Sequence, residues 1–232
     1  MLRLTEIKLP LDHAADALRV LILRTLGIAD TDLLEFRVRR RGHDARKPGV
    51  IALVYTLDVE VRNEGALLNK FHGSPHISLA PDETYRYPAH AATPPATRPV
   101  VIGSGPCGVF AGLSLARMGL RPLILERGRS VRQRTKDVWG FWRERDFNPV
   151  SNVQFGEGGA GTFSDGKLYS GIKDRGHHIR RILHDFVDCG APEEILYISK
   201  PHIGTLRLVK VVERLRHQII AAGGEFRFEA QV

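Results

Sequence analysis

The stretch RPVVIGSGPCGVFAGLSLARMGLRPLILERG, residues 98–128, decides the fold of this chain. The apolar run over 100–102 predicts a short buried strand, and the glycines after it predict a tight turn into a helix. A second apolar run over 123–125 predicts another strand, after Gly119 has ended the helix. The order strand, glycine turn, helix, strand is typical of one half of a dinucleotide-binding α/β fold.

Each glycine of the G-x-G-x-x-G pattern has a mechanical reason to be there. Gly103 permits the sharp exit from the strand, Gly105 lets the backbone approach a pyrophosphate, and Gly108 lets the helix pack closely on the sheet. The N-terminus of that helix supplies free N–H groups and a partial positive charge to phosphates. The cofactor-binding residues predicted on this turn are Gly103, Ser104, Gly105, Pro106, Cys107 and Gly108.

Two side chains near the turn refine this interpretation. Glu126 follows the second strand, where its carboxylate can accept hydrogen bonds from the hydroxyls of an adenosine ribose. A 2′-phosphate would meet a like charge there, so the sequence disfavours NADP as the ligand of this unit and leaves NAD open. Cys107 is at a helix N-terminus, which can activate a thiol. Because an adjacent pyrophosphate would oppose thiolate formation, we expect a small residue packed beneath the cofactor instead.

A second glycine cluster, SNVQFGEGGAGTFSDGKLYSG over 151–171, favours a flavoprotein over a nicotinamide dehydrogenase. Gly156, Gly158, Gly159 and Gly161 lie close together, which makes backbone N–H groups accessible to an anion or to a planar ring. A mobile surface loop is the alternative interpretation. Loops this dense in glycine outside linkers tend to be functional.

On these stretches the chain resembles a family of FAD-dependent dehydrogenases, whose wider kin are flavoproteins of the geranylgeranyl reductase and aromatic hydroxylase type. The resemblance rests on GSGPCGVFAGLSLARMG, LERG, GEGGAGTFSDGKLYS, APEEILYISKPHIGT and RRRGHDARKPG, and it covers essentially the whole chain. It implies that the turn over 103–108 holds the pyrophosphate, that Glu126 holds the ribose, and that residues 158–162 approach the ribitol or isoalloxazine. It also implies that Val232, at the end of a predicted strand EFRFEAQV, contacts adenine through its backbone. The further predicted cofactor-binding residues are Arg127, Gly158, Gly159, Ala160, Gly161, Thr162 and Val232.

The predicted function is that of an FAD-dependent oxidoreductase of dehydrogenase type, with NAD(P)H as a candidate electron donor and a small molecule of unknown identity as substrate. Flavoproteins of this type normally need more sequence than 232 residues. We therefore expect an N-terminal fragment that carries the ADP-binding half of the flavin site and binds FAD weakly or not at all by itself. The alternatives are an NAD-binding dehydrogenase domain, or a non-catalytic flavin-binding protein whose basic leading module binds a polyanion such as RNA.

No catalytic residue is assigned, because in a flavoenzyme the isoalloxazine carries out the hydride transfer. Asp165, Lys167 and His202 are candidates by position alone, and solvated side chains are the favoured interpretation for each. Arg132 and Arg134 could reach cofactor phosphates, although an arginine-rich helix favours solvent exposure. Three histidines could share part of a helix face without carboxylates at ligand spacing, so no metal site is predicted. They are His177, His178 and His184.

The first 87 residues predict a small α+β module. Its apolar patterning gives six elements in the order β-α-β-β-α-β: a strand near 2–9, a helix capped by Asp12 and ended by Gly27, strands around 34–38 and 51–61, a helix over 64–71 and a strand over 76–79. This order is that of the ferredoxin-like, or split βαβ, plan, which specifies an architecture and not an activity.

A proline-rich stretch, 88–98, predicts a stiff linker before an FAD-binding domain that spans 99–232 as an incomplete Rossmann-like fold. A helix is expected over 210–222. The leading module also carries a basic cluster, made of Arg37, Arg39, Arg40, Arg41, Arg46 and Lys47. This cluster motivates the RNA alternative, but the aromatic pattern of an RNA-recognition sheet is absent, which disfavours nucleic acid. Docking on the flavin domain or on a substrate phosphate is the other interpretation.

Composition excludes several classes. No apolar run approaches the roughly 18 to 20 residues of a membrane helix, and the start of the chain lacks the apolar stretch of a signal peptide, so a cytoplasmic protein without a membrane span is predicted. The two cysteines, Cys107 and Cys189, are too far apart for spacing to indicate a disulfide framework or a zinc site. The formal net charge of +8 suits a polyanion or a phosphate-rich cofactor equally well.

Overall fold

A computed structural model describes residues 1–169 and 171–232. The chain divides into two compact units, Met1–Glu83 with Leu196–Ser199 and Thr84–Ile195 with Lys200–Val232. Each unit has its own sheet and its own hydrophobic core, so the predicted mixed α/β class is confirmed. Single-turn 3-10 helices cover Asp30–Asp32, Ala160–Phe163 and Glu193–Leu196.

The first unit is built on an antiparallel sheet with the strand order β2-β3-β1-β4. Its elements are β1 (Leu2–Pro10), α1 (Ala17–Leu26), β2 (Leu33–Lys47), β3 (Val50–Val61), α2 (Glu64–Lys70) and β4 (Ile77–Leu79). The predicted β-α-β-β-α-β order is therefore observed. Alternate residues of β1 and β3, such as Leu2, Leu4 and Leu57, are buried in one core with the apolar stripe of α1.

The ends of α1 show one correct expectation and one wrong one. Gly27 ends the helix in the left-handed conformation, φ 63°, and donates its N–H to the carbonyl of Leu23 at 2.8 Å. Asp12 does not cap the helix, which begins at Ala17. The intervening residues form turns instead, closed by the N–H of His13 on the carbonyl of Pro10.

The second unit is built on a parallel sheet in which β6 lies between β5 and β7. Its elements are β5 (Val100–Ile102), α3 (Pro106–Arg117), β6 (Leu123–Leu125), α4 (Val131–Glu144), α5 (His178–Asp188), α6 (Thr205–Ala221) and β7 (Glu225–Arg227). The central strand supplies Ile124, fully buried against α3 and α6. A Cβ atom at Gly112 would lie 3.2 Å from Ile124, so this small residue allows α3 to pack closely on the sheet. Residues 88–98, the predicted linker, lie in this unit without a helix or a strand.

Two predicted elements of this unit have different bounds in the structure. The last helix begins at Thr205 rather than at Lys210, because Gly204, at φ 86°, turns the chain directly into it. The last strand ends at Arg227, so Val232 does not lie at the end of a strand as predicted. Beyond Arg227 the chain follows the bend after β6, where Ala230 donates its N–H to the carbonyl of Glu126 at 3.0 Å.

None of the helices in the described part of the chain combines the length and the apolarity that a membrane crossing requires.

Gly140 lies in the middle of α4, and a Cβ atom added there would meet no heavy atom of the described residues within 4 Å. Replacing it with alanine is expected to raise the free energy of unfolding of the second unit by about 0.5–1 kcal/mol, because alanine loses less backbone entropy in a helix. Urea unfolding followed by far-ultraviolet circular dichroism measures the change. A lower midpoint for Gly140→Ala would contradict the expectation.

Candidate functional site

The glycine turn joins the end of β5 to the start of α3. Gly103 has φ 87° and donates its N–H to the carbonyl of Leu125 at 2.7 Å, which ties the turn to the end of β6. A Cβ atom at Gly108 would lie 1.9 Å from the carbonyl oxygen of Gly103. The helix can approach the turn this closely only because position 108 has no side chain.

Glu126 ties the end of β6 to the same turn. It is 5% exposed, and its Oε2 accepts hydrogen bonds from the N–H of Ser104 at 2.8 Å and from the hydroxyl of Ser104 at 2.7 Å. Its Oε1 accepts from the N–H of Gly128 at 2.7 Å. The carboxylate is thus held in a defined position beside the turn, as its place after the strand predicted.

The second glycine cluster lies directly against the first. Gly158 donates its N–H to the carbonyl of Ser104 at 2.8 Å. A Cβ atom at Gly159, which has φ 66°, would lie 3.2 Å from Cα of Gly105 and 3.1 Å from Cδ of Pro106. The two glycine-rich stretches, which are far apart in the sequence, therefore form one surface. Where Gly159 meets Gly105, neither residue has a side chain between the two backbones.

Two cavities adjoin this surface. The smaller, of about 360 Å³, is lined by six of the predicted residues: Gly103, Gly105, Glu126, Arg127, Gly159 and Val232. The larger, of about 720 Å³, is lined by five more: Pro106, Cys107, Gly158, Gly161 and Thr162. The cavities meet at the start of α3, since Gly105 lines one and Pro106 lines the other. The remaining predicted residues, Ser104, Gly108 and Ala160, line neither cavity.

The walls of the two cavities differ in chemistry. Arg127 covers one side of the smaller cavity, with its guanidinium carbon 3.9 Å from the ring centroid of Phe155. The larger cavity has mostly apolar side chains, including Phe110 from α3 and Phe186 from α5, whose ring centroids are 5.3 Å apart. The site thus combines a cavity of mixed lining, which contains the Glu126 carboxylate and the Arg127 guanidinium, with a larger and more apolar cavity.

The two cysteines differ in environment. Cys107 is exposed in the first turn of α3 and lines the larger cavity. That it packs beneath a cofactor stays a prediction. Cys189 is fully buried, and burial raises the pKa of its thiol to about 11.

Arg134 corrects the prediction of a solvated side chain. It is fully buried and donates hydrogen bonds to five backbone carbonyls of the loop over 152–159. Val131, Arg134 and Val138 are the buried residues of α4, and their spacing of three and four is a signal that could have placed Arg134 on the buried face. Arg132, by contrast, is exposed and pairs with Glu213 at 2.6 Å.

Glu157 is a second buried charge that sequence reasoning missed. Its Oε2 accepts from the N–H of Val131, the first residue of α4, at 2.6 Å, and its Oε1 lies 2.9 Å from Nε of Arg216. Burial raises the pKa of this carboxyl, against the lowering effects of the Val131 hydrogen bond and of Arg216. The carboxylate caps a helix whose preceding residue, Ser130, makes no side-chain capping bond.

The catalytic candidates lie at the surface. Asp165 and Lys167 are both exposed and form an ion pair of 3.3 Å, and Lys167 pairs through its backbone with His202, which is also exposed. Across the described residues, no group of histidine, cysteine and acidic side chains is arranged to hold a metal ion. These positions therefore add no acid, base or ligand to the two cavities, apart from Lys167 at the rim of the larger one.

Half of the basic cluster of the first unit forms ion pairs within that unit, and Arg41 contacts an aromatic ring. The ion pairs join Arg37 to Glu35, Arg39 to Asp58 and to Glu83, and Arg46 to Asp44. Arg41 stacks over the ring of Tyr197, with its guanidinium carbon 5.2 Å from the ring centroid. Carboxylates thus reduce the charge that β2 presents to a polyanion, which weakens the RNA alternative.

Comparison with known proteins gives a matching family and a matching relative. Residues 1–60 match the family described as "Domain of unknown function (DUF8436)". A relative from Clostridium beijerinckii, described as an uncharacterized protein, is 39% identical over 231 residues. The match covers 100% of this chain and 43% of the relative, so the chain spans less than half of the relative's length.

Proposed function

We propose that the second unit binds the ADP portion of FAD, and that the chain is part of an FAD-dependent oxidoreductase of dehydrogenase type. The observation that carries the proposal is the position of Glu126. Its buried carboxylate follows the second strand of a parallel sheet and faces both the glycine turn and the smaller cavity. In a dinucleotide-binding fold, the protein carboxylate that accepts hydrogen bonds from the ribose hydroxyls lies at this position.

The strand order supports the finer fold assignment. From one edge to the other, the strands of the second unit's sheet lie in the order β7, β6, β5, which is the reverse of their order in the chain. The first two of them in the chain, β5 and β6, are parallel and are connected by α3. This is the order of one mononucleotide-binding half of a doubly wound Rossmann-like sheet. The antiparallel order β2-β3-β1-β4 of the first unit supports the ferredoxin-like plan proposed for it.

The residues around the smaller cavity fit an ADP group. Ribose hydroxyls would donate to the Glu126 carboxylate in place of the Ser104 hydroxyl. The N–H groups at the start of α3 would bind the pyrophosphate. Gly103, Gly105 and Gly159 line this cavity without side chains, so their backbone is accessible to a bulky anion.

The larger cavity supports FAD over NAD. Its apolar walls from α3, α5 and α6 suit a planar isoalloxazine, and it adjoins the turn on the side away from Glu126. The hydroxyl of Thr162 is buried in its wall without a hydrogen-bond partner among the described residues, and a polar edge of a ligand would satisfy it. When bound, the isoalloxazine would supply the hydride transfer, while these residues bind it, orient it and exclude water. NAD(P)H stays the predicted electron donor.

The test is a titration of the 232-residue chain with ADP-ribose and with 2′-phospho-ADP-ribose by calorimetry. We expect the chain to favour ADP-ribose, and Glu126→Gln to weaken its binding by about tenfold or more, because a hydrogen bond to a charged group contributes about 1.5–3 kcal/mol. The same variant should lose most of the discrimination against the 2′-phosphate.

Glu225→Gln is the matched control, since Glu225 lies at the opposite end of the same sheet and pairs with Arg98 and Arg227. It should bind both ligands as the unmodified chain does. Absence of ADP-ribose binding at millimolar concentration, or unchanged binding by Glu126→Gln, would refute the proposal. Stoichiometric flavin retained through purification would contradict the narrower expectation that this chain holds only the ADP-binding half.

A further inference from the structure

Arg134 forms an unusual set of contacts for a buried guanidinium. The hydrogen bonds run from Nε to the carbonyl of Asn152 (2.8 Å), from Nη2 to that of Val153 (2.9 Å), and from Nη1 to those of Gly156 (3.2 Å), Glu157 (2.7 Å) and Gly159 (2.8 Å). Within the described chain no carboxylate forms an ion pair with it. Carbonyl dipoles compensate its charge, together with the ring of Phe163, whose centroid lies 4.9 Å from the guanidinium carbon, and with the nearby carboxylates of Glu126 and Glu157, which raise its pKa. Burial has the larger effect and lowers this pKa to about 10, so the guanidinium stays charged at neutral pH.

A buried charge at this position needs an explanation beyond packing. Arg134 lies between Val131 and Val138 on the buried face of α4, where an apolar side chain would avoid the cost of desolvation. What arginine alone provides is five N–H donors in a rigid planar fork. The loop over 152–159 turns its carbonyls towards that fork and contains no helix or strand. Two of the five carbonyls also accept a backbone N–H: that of Gly156 from Gly159 at 3.0 Å, and that of Gly159 from Thr162 at 3.2 Å.

The loop sequence is adapted to this side chain. Gly156 has φ 115°, and a Cβ atom there would lie 2.5 Å from Cδ of Arg134. The first glycine of the cluster is thus required by Arg134. The last carbonyl that Arg134 holds belongs to Gly159, which packs against Gly105 and Pro106 of the glycine turn.

We propose that Arg134 is a positioning residue that fixes the loop over 152–159 as the wall of the nucleotide cavity. Gly156 and Gly159 line the smaller cavity while Arg134 does not, so Arg134 acts through the loop and without touching the ligand. This inference rests on the proposed function. It predicts that the affinity for the ADP group depends on the donor geometry at position 134 as well as on its positive charge.

The test compares Arg134→Lys with Arg132→Lys, an exposed arginine two residues earlier on the same helix. Lysine keeps the charge but has three donors and no planar fork. We expect Arg134→Lys to bind ADP-ribose about tenfold more weakly or worse, because the cavity wall is no longer preorganised. Amide hydrogen exchange should accelerate over 151–163, while α3 and β6 keep their protection. Arg132→Lys should change neither quantity.

Chemical rescue distinguishes a role of Arg134 in positioning the loop from a general contribution of Arg134 to the stability of the second unit. Millimolar guanidinium should restore ADP-ribose binding to Arg134→Ala, whereas urea, which has a similar shape and no charge, should not. If Arg134→Ala does not fold, Arg134→Lys decides alone. Unchanged affinity in Arg134→Lys, loss of protection throughout the second unit, or failure of Arg134→Lys to fold would overturn the proposal.

The exchange measurement distinguishes this inference from the proposed function. If the unmodified chain binds no ADP-ribose, the proposed function fails, and faster exchange confined to the loop in Arg134→Lys still supports a role in loop positioning. If the unmodified chain binds ADP-ribose and Arg134→Lys binds it equally well, only the positioning role fails.

Discussion

Replacing Gly108 with alanine is expected to lower the free energy of unfolding of the second unit by roughly 3 kcal/mol. The new Cβ atom would lie 1.9 Å from the carbonyl oxygen of Gly103 and 3.0 Å from its carbonyl carbon. Both are backbone atoms, so relief requires α3 to move away from the turn and from the core that it shares with Ile124. Urea unfolding followed by tryptophan fluorescence measures the loss in this unit, because Trp139 and Trp142 are the two tryptophans of the chain.

Gly161→Ala is the matched control for Gly108→Ala. Gly161 belongs to the second glycine cluster, and a Cβ atom there would meet no heavy atom of the described residues within 4 Å. Its stability should stay within about 0.5 kcal/mol of the unmodified chain. Equal midpoints for the two alanine variants would show that α3 does not approach the turn as closely as the structure has it.

Replacing Glu157 with alanine is expected to lower the free energy of unfolding by about 3–5 kcal/mol. The change removes the buried acceptor of the Val131 N–H at the start of α4 and the nearest carboxylate of Arg216, whose side chain is partly exposed. Glu225→Ala is the control, since it breaks more exposed ion pairs with Arg98 and Arg227, for which about 1 kcal/mol or less is expected. Similar losses in the two variants would contradict the burial of Glu157.

The contribution of Glu157 to the free energy of unfolding is expected to depend on pH. Burial raises the pKa of its carboxyl above the ordinary value of 4.5, so the folded chain binds this proton up to a higher pH than the unfolded chain does. The contribution of this group to stability therefore falls as the pH rises from about 4.5 through the raised pKa. Glu157→Gln keeps an acceptor for Val131 and removes the titration. The unfolding free energy of the unmodified chain, relative to that of this variant, should decrease across that pH range.

The residues of these predictions all stabilise one feature of the second unit, the contact between the two glycine-rich stretches. Gly108 brings α3 to the turn, Glu157 anchors the loop at the start of α4, and Arg134 gathers the loop carbonyls. The proposed nucleotide site is formed where that contact opens into the two cavities. Loss of any of these three residues should therefore affect ligand binding as well as stability.

The local parts of the fold were predictable from the sequence. The strands around 100–102 and 123–125, the turn between β5 and α3, and the place of Glu126 follow from apolar runs and glycine chemistry that act within a few residues. The element order of the first unit follows from periodicity in the same way. The start of α1 was not predictable from Asp12, because the turns after Pro10 delay the helix to Ala17.

The amino-acid sequence by itself determined the mixed α/β class, the glycine turn and the carboxylate after β6, because each depends on interactions between residues close together in the chain. Only the tertiary structure decided that the second glycine cluster lies on the first, that Arg134 and Glu157 are buried, and that the last strand ends at Arg227. The physical reason is that a charged side chain can be buried only where carbonyls or N–H groups from distant parts of the chain contact it. A local sequence pattern does not indicate which distant groups these are.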